Sequence, residues 1–235
     1  REFGLAVLEG LDTELARRGE MFRAAGTDDL GSFRVRTSAA LPRILMVIDE
    51  FHELFSEDDQ LANKVGLIID RLVRQGRGFG IHLVLGSQSL AGLQGMNRAT
   101  LGQIGVRVAL QCDERDSMLI LAEDNIAARS LTRPGEAIYN ASRGTTDGNI
   151  RFQTSWLPDD ERQRILAQLR ARAHAEGIDR SPVVFEGNEC AEVGETLARL
   201  PTSPNRPEFP TDLWLGEPLS LAGAVKCKLN REAGS

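Results

Sequence analysis

Apolar residues recur along the chain in two rhythms. Between residues 3 and 25, Leu5, Leu8, Leu11, Leu15 and Phe22 give a helical stripe, and Gly26 closes it. "QLANKVGLIIDRLVRQGRGFG" repeats that rhythm with Leu61, Val65, Ile68, Ile69 and Leu72, and glycines 76, 78 and 80 end it. The intervening "TDDLGSFRVRTSAALP" reads as a connection. It leads into "PRILMVIDEFHELF", residues 42 to 55, where Ile44, Leu45, Met46, Val47 and Ile48 form an unbroken apolar run. Such a run predicts a strand at 44–49 covered on both faces.

Further apolar runs predict strands at 81–88 and 106–112, separated by a Gly-rich stretch holding a short helix. Asp113 or Asp116 can cap the helix carrying Met118, Leu119 and Leu121. "RPGEAIYN" reads as a turn and strand, with "GNIRFQTSWL" as its hairpin partner. "PDDERQRILAQLRARAHAEG" reads as a helix with proline and acids at its start and Gly177 at its end. Strands alternating with helices predict an α/β fold with a largely parallel sheet. The character changes after residue 180, where "RLPTSPNRPEFP" reads as a Pro-rich linker.

The strand at 44–49 ends in two adjacent carboxylates, Asp49 and Glu50. Open α/β sheets bind ligands at the C-terminal ends of their strands. The alternative is that Asp49 only caps the next helix.

Composition narrows the choice of function. The 235 residues are 41% hydrophobic and 26% charged, as expected of a globular protein. Aromatic content is 5%, which argues against a surface that stacks bases, and a net charge of −6 confines any polyanion contact to a local patch. Cys112, Cys190 and Cys227 make neither a disulfide framework nor a metal spacing, so a reducing cytoplasm is expected. His52, His82 and His174 are scattered; no metal site is expected from them, and His52 and His82 read as structural. No apolar run approaches the ~20 residues of a membrane span. The opening "REFGLAVLEG" and the ending "KLNREAGS" read as those of a piece of a longer protein.

Taken in order, "PRILMVIDEFHELF", "RLVRQGRGFGIHLVLGSQSL", "VRVALQCDERDSMLIL" and "RPGEAIYN" resemble the FtsK/SpoIIIE family of RecA-like motor ATPases. That family includes double-stranded DNA translocases and the EssC/EccC ATPases of type VII secretion. The resemblance covers roughly residues 15 to 157. It implies an incomplete RecA-like P-loop NTPase core at 1–157, a helix at 158–180, and a linker at 181–235 leading toward a next module.

The resemblance also implies roles. Asp49 would hold Mg²⁺ and, with Ser87, belong to the ATP site. Glu50 would polarise the attacking water, and Gln88 would sense the γ-phosphate. For Gln88 the alternative is a loop-capping amide. Relatives usually have Thr-Gln followed by Arg-Pro or Lys-Pro; here Ser87-Gln88-Ser89-Leu90 lacks the basic residue. Arg71, Arg74 and Arg77 lie on nearly one helical face. Arg74 and Arg77 are candidates to reach a neighbouring subunit's nucleotide, the alternative being a solvated stripe. Arg107 matches a finger or sensor position, the alternative being a structural pair. Asn97 and Arg98 are candidate polymer contacts.

No G-x-x-x-x-G-K-[ST] occurs in the 235 residues. That motif supplies the N–H cradle and the lysine for the phosphates, so this chain alone is expected to hydrolyse nothing. "WLGEPLSLAGAVKCKLNREAGS" resembles the lead into a following motor module, with Trp214 and Leu215 docking against one. The alternative is a tail with a hairpin. By resemblance the whole protein is an ATP-driven translocase moving double-stranded DNA, or alternatively secreted protein substrates; a non-hydrolysing binding module is the third reading. A homo-oligomeric ring, a hexamer in relatives, and a membrane tether elsewhere in the full-length protein are implied likewise.

Overall fold

The apolar run after Pro42 becomes β1 (Ile44–Ile48), and it pairs in parallel with β2 (Ile81–Leu85). Ile44 stands opposite Ile81 and Ile48 opposite Leu85, so both strands end at the same level. The computed structural model describes residues 1–90, 98–178 and 184, and the backbone of two strands at 211–216 and 225–229. It divides into two units, Arg1–Leu157 and Pro158–Ser235.

Helix α3 (Gln60–Phe79) joins β1 to β2. Its start is fixed by Asp59, whose carboxylate accepts the Ala62 N–H at 2.8 Å, and its end by Gly80 at φ 73°, the left-handed conformation glycine adopts without penalty. Glycines 76 and 78, expected to end the helix, lie inside it. Gly76 has a packing reason: a Cβ there would come within 2.7 Å of the Ile81 carbonyl, so its absence lets β2 pass close beneath the helix.

Helix α1 (Glu2–Ala25) lies along α3 and ends at Gly26, φ 63°. Leu8 and Leu15 of α1 meet Val65, Ile68, Ile69 and Leu72 of α3 in one buried cluster, with Ile44, Ile48, Leu83 and Leu85 of the strands packed against it. Each such side chain contributes roughly 1.5–3 kcal/mol on burial. The stretch read as a connection contains a helix, α2 (Leu30–Thr37). Asp29 caps it through the Ser32 N–H, and Leu30 and Phe33 pack with Phe22. Its short length and weak stripe hide it from periodicity.

Beyond a short helix α4 (Arg98–Gln103) the chain forms β3 (Arg107–Leu110), α5 (Glu114–Ile120), β4 (Glu136–Asn140) and β5 (Asn149–Gln153). Asp113, rather than Asp116, caps α5. β3, β4 and β5 pair antiparallel in that order, the last two as the expected hairpin. The α/β fold with a parallel sheet stands, but the described parallel pairing is that of β1 with β2, and three further strands run antiparallel.

The strand expected to be covered on both faces is covered on one. Ile44, Met46 and Ile48 turn inward, while Leu45 is 65% and Val47 60% exposed. Val84 on β2, opposite Val47, is 50% exposed. Since parallel strands are normally sandwiched between layers, this apolar face has the character of a surface that a further layer covers.

In the second unit, α6 (Asp159–Ala175) opens after Pro158 with Asp159, Asp160 and Glu161 in its first turn, which suits the positive end of a helix dipole. Strands β6 (Thr211–Gly216) and β7 (Val225–Leu229) pair antiparallel with an irregularity between Trp214 and Gly216. The expected Pro-rich linker and the docking side chains Trp214 and Leu215 lie outside the described residues.

Candidate nucleotide-hydrolysis site

The C-terminal ends of β1 and β2 bring together residues 38 positions apart. The Gly86 N–H donates to the Ile48 carbonyl at 2.8 Å, and the Phe51 N–H donates back to the Gly86 carbonyl at 3.0 Å. This cross-link carries the pairing one step past the strands and sets Asp49 and Glu50 beside the segment 86–88. A Cβ on Gly86 would stand 3.1 Å from Asp49 Oδ1, so glycine there leaves room for the carboxylate against the neighbouring backbone.

Asp49 does not cap a helix. Its Oδ1 accepts the adjacent Glu50 N–H at 3.0 Å, and the side chain is exposed at the strand tip. Glu50 takes a left-handed conformation, φ 48° and ψ 45°, before a 3-10 turn at Phe51–Phe55. A non-glycine residue there carries strain of order 1–3 kcal/mol, and such residues gather at functional sites. The kink points the Glu50 carboxylate at Gln88. Oε2 accepts the Gln88 main-chain N–H at 3.2 Å and Oε1 accepts the Gln88 side-chain Nε2 at 2.5 Å.

His52, read from sequence as structural, belongs to this cluster. Its Nδ1 lies 3.2 Å from Glu50 Oε2 and 2.8 Å from Ser87 Oγ, and its Nε2 lies 3.3 Å from Glu53 Oε1. The only sequence signal was its place two residues after Glu50, which means nothing without the tight turn. Ser87, expected at the cofactor, directs its hydroxyl to the Ser89 carbonyl at 2.6 Å.

The other candidates are elsewhere. Arg107 donates from Nε to the Ile104 carbonyl at 3.1 Å, from Nη2 to Leu101 at 3.1 Å, and from Nη1 to Ile120 at 3.2 Å and to Leu121. These carbonyls stand in the last turns of α4 and α5 or one residue beyond, where helices run short of main-chain donors. Burial pushes the guanidinium below its ordinary value. With every nitrogen committed to main chain, Arg107 has the geometry of a clamp joining two helix ends to β3, not that of a free finger or sensor, nor that of a partner to a carboxylate.

On α3, Arg71 pairs with Asp12 of α1 at 2.8 Å and Arg74 with Asp70 at 2.8 Å. The Thr100 hydroxyl also donates to Asp70, and it and Arg74 together hold the Asp70 carboxyl below its usual range. Arg77 is exposed and has no ion pair among the described residues. Asn97 and the Arg98 side chain lie outside the described residues. No helix among the described residues is long and apolar enough to cross a membrane, and no group of three or more His, Cys, Asp or Glu there is arranged to hold a metal ion.

The tips of two parallel strands thus bring an acidic pair and a glutamine together on an α/β framework. No family profile matches the chain. Individual relatives do. It is 33% identical over 160 residues to a DNA translocase FtsK of Shewanella oneidensis, covering 66% of this chain and 16% of that protein. It is 28% identical over 159 residues to the ESX-5 secretion system protein EccC5 of Mycobacterium marinum, covering 64% and 11%. Among solved structures, the pCW3 conjugation coupling protein TcpA with ATPγS superimposes with a TM-score of 0.58 at 25% identity, over 71% of this chain and 48% of that one. The cytoplasmic domain of the Thermomonospora curvata type VII secretion ATPase EccC gives 0.52 at 25% identity, over 66% and 18%. The chain belongs to the FtsK/SpoIIIE family of motor ATPases. It spans less than a fifth of the length of these curated relatives.

Proposed function

We propose that this chain supplies the Walker B side of an ATP-driven translocase motor that moves double-stranded DNA. The observation that carries the reading is the juxtaposition of Asp49 and Glu50 with Gln88 at the ends of two parallel strands. The phosphate cradle must come from polypeptide other than these 235 residues, because they contain no P-loop motif.

The donor set fits Mg²⁺. Asp49 is an exposed carboxylate with Oδ1 turned toward the Glu50 N–H, and carboxylate oxygen suits a hard cation. Asp49 would hold the ion, which would supply charge neutralisation at the phosphate oxygens. Glu50 orients the attacking water. An ionised carboxylate offers about four acceptor positions; Gln88 N and Gln88 Nε2 take two of them, and His52 Nδ1 stands 3.2 Å from Oε2. A position remains to accept a proton from water, the general-base role. Gln88 has an amide group at the same tip and reports the γ-phosphate by hydrogen bonding. Arg77, free of ion pairs among the described residues, is the arginine best suited to reach a neighbouring subunit in a ring, with Arg74 beside it.

DNA as the moved polymer is supported by relatives of at least 30% identity named DNA translocase FtsK, including those of Pasteurella multocida and Ralstonia nicotianae. A second reading, movement of secreted proteins, is favoured by the departure of Ser87-Gln88-Ser89-Leu90 from the Thr-Gln-Arg-Pro usual in the family, and by the match to EccC5.

The test joins these residues to a P-loop unit and measures ATP turnover with and without linear duplex DNA. Stimulation by DNA is expected; turnover indifferent to DNA but raised by a secretion substrate would replace the first reading with the second. Glu50→Gln is expected to lower turnover by about 10²–10⁴-fold. Full turnover in that variant, or detectable turnover by the 235-residue chain alone, would overturn the assignment.

A further inference from the structure

The proton count around Ser87 fixes something the family motif does not. A serine hydroxyl has one proton and two acceptor positions. The Ser87 proton is committed to the Ser89 carbonyl, which can only accept, at 2.6 Å. Toward His52, 2.8 Å away, Ser87 Oγ can therefore only accept. The proton of that contact must sit on His52 Nδ1. The same Nδ1 lies 3.2 Å from Glu50 Oε2, so the N–H that Ser87 accepts stands close beside the carboxylate and favours its charge. In a free histidine side chain the Nε2–H tautomer predominates; here a main-chain carbonyl, acting through Ser87, selects the other one. Nε2 faces Glu53, whose side chain is 69% exposed and able to turn into water.

Resting on the hydrolysis reading above, we propose that His52 is a positioning residue for Glu50, with Ser87 setting its tautomer. Glu50 stands on a strained left-handed backbone at the start of a 3-10 turn, and its side chain has several rotatable bonds. Gln88 holds it from β2's side only. His52 approaches from within Glu50's own turn, at the same Oε2 that takes the Gln88 main-chain N–H, so two elements meet at the carboxylate. A base held within a fraction of an ångström of its working pose keeps its rate, and a loose one loses it. Ser87 thereby acts in the site through His52, not as a nucleotide ligand.

The first arm of the test uses the 235-residue chain itself. Nitrogen-15 NMR of the imidazole, with the ring neutral, is expected to show the proton of His52 on Nδ1, and Ser87→Ala is expected to shift the balance toward Nε2–H. A predominant Nε2–H tautomer in the unsubstituted chain would overturn the proposal. The second arm uses the P-loop-joined form. His52→Asn keeps an N–H where Nδ1 was, and His52→Gln places its amide where Nε2 was. His52→Ala and His52→Gln are expected to lower kcat about tenfold with nucleotide affinity unchanged, and His52→Asn to stay within about twofold. Equal loss in Asn and Gln variants, or loss confined to thermal stability, would overturn it. If Glu50→Gln itself kept full turnover, the hydrolysis reading would fail, while the NMR arm still decides whether Ser87 sets the His52 tautomer.

Discussion

Gln88 grips Glu50 at both carboxylate oxygens, main-chain N–H on Oε2 at 3.2 Å and side-chain Nε2 on Oε1 at 2.5 Å. The two residues sit on adjacent parallel strands, so the grip exists only because Ile48 and Leu85 end in register. Charge-assisted hydrogen bonds of this kind are the strong ones. In the P-loop-joined form, Gln88→Ala is expected to cost about 10- to 100-fold in turnover, and Gln88→Glu more, since two carboxylates would then face each other at hydrogen-bond distance. Steady-state phosphate release measures both.

Arg18 is 1% exposed, donating to the Phe79 carbonyl at 2.8 Å and to Glu14 at 2.7 Å. Arg18→Ala leaves that carbonyl without its donor and is expected to cost about 2–3 kcal/mol in urea unfolding. The hydrogen bond from Arg17, followed by that from Arg18, holds the Glu14 carboxyl at about 2. A carboxyl lowered in the folded state stabilises the fold above its unfolded value, about 4.3, and that contribution is lost as pH falls toward 2. The unfolding midpoint is expected to drop between pH 5 and pH 2, and less steeply in Glu14→Gln.

Gly76→Ala is expected to destabilise the chain by about 1–3 kcal/mol. Alanine favours helices by intrinsic propensity, so the sign is diagnostic. The added methyl would meet the Ile81 carbonyl at 2.7 Å, a backbone atom that cannot swing away. A thermal midpoint equal to or above that of the unsubstituted chain would contradict the close approach of α3 and β2.

Asn125 and Asn140, both fully buried, donate to Asn149 Oδ1 at 3.0 and 2.8 Å, and Asn149 Nδ2 returns a bond to Asn125 Oδ1 at 3.0 Å. The three amides pin the loop between β4 and β5 to the segment after α5. Asn149→Ala takes one acceptor from each of these amides, whose nitrogens keep only their bonds to the Gly144 and Thr145 carbonyls, and is expected to cost about 1–3 kcal/mol, with faster amide exchange across residues 141–148.

Helices α1 and α3, their glycine caps and the apolar runs of β1 and β2 follow from the chain's periodicity, since a buried stripe leaves a 3.6-residue or continuous imprint. The acids closing β1 were legible as the end of an apolar run, but the run alone left them open between a ligand site and a helix cap, and the Asp49 contact to the Glu50 N–H answers that choice. Helix α2 was not, because eight residues with two buried positions leave too little pattern. Nor were the roles of His52, Ser87 and Arg107. Each depends on a partner set by three-dimensional geometry: a left-handed Glu50 turns His52 inward, a single hydroxyl proton sets its tautomer, and two helix ends converge on Arg107. The sequence by itself determined which elements form and which residue types end them, because those are local consequences of burial and backbone preference. Only the tertiary structure decided which ends meet, because strand register and hydrogen-bond direction are properties of pairs of segments far apart in the chain.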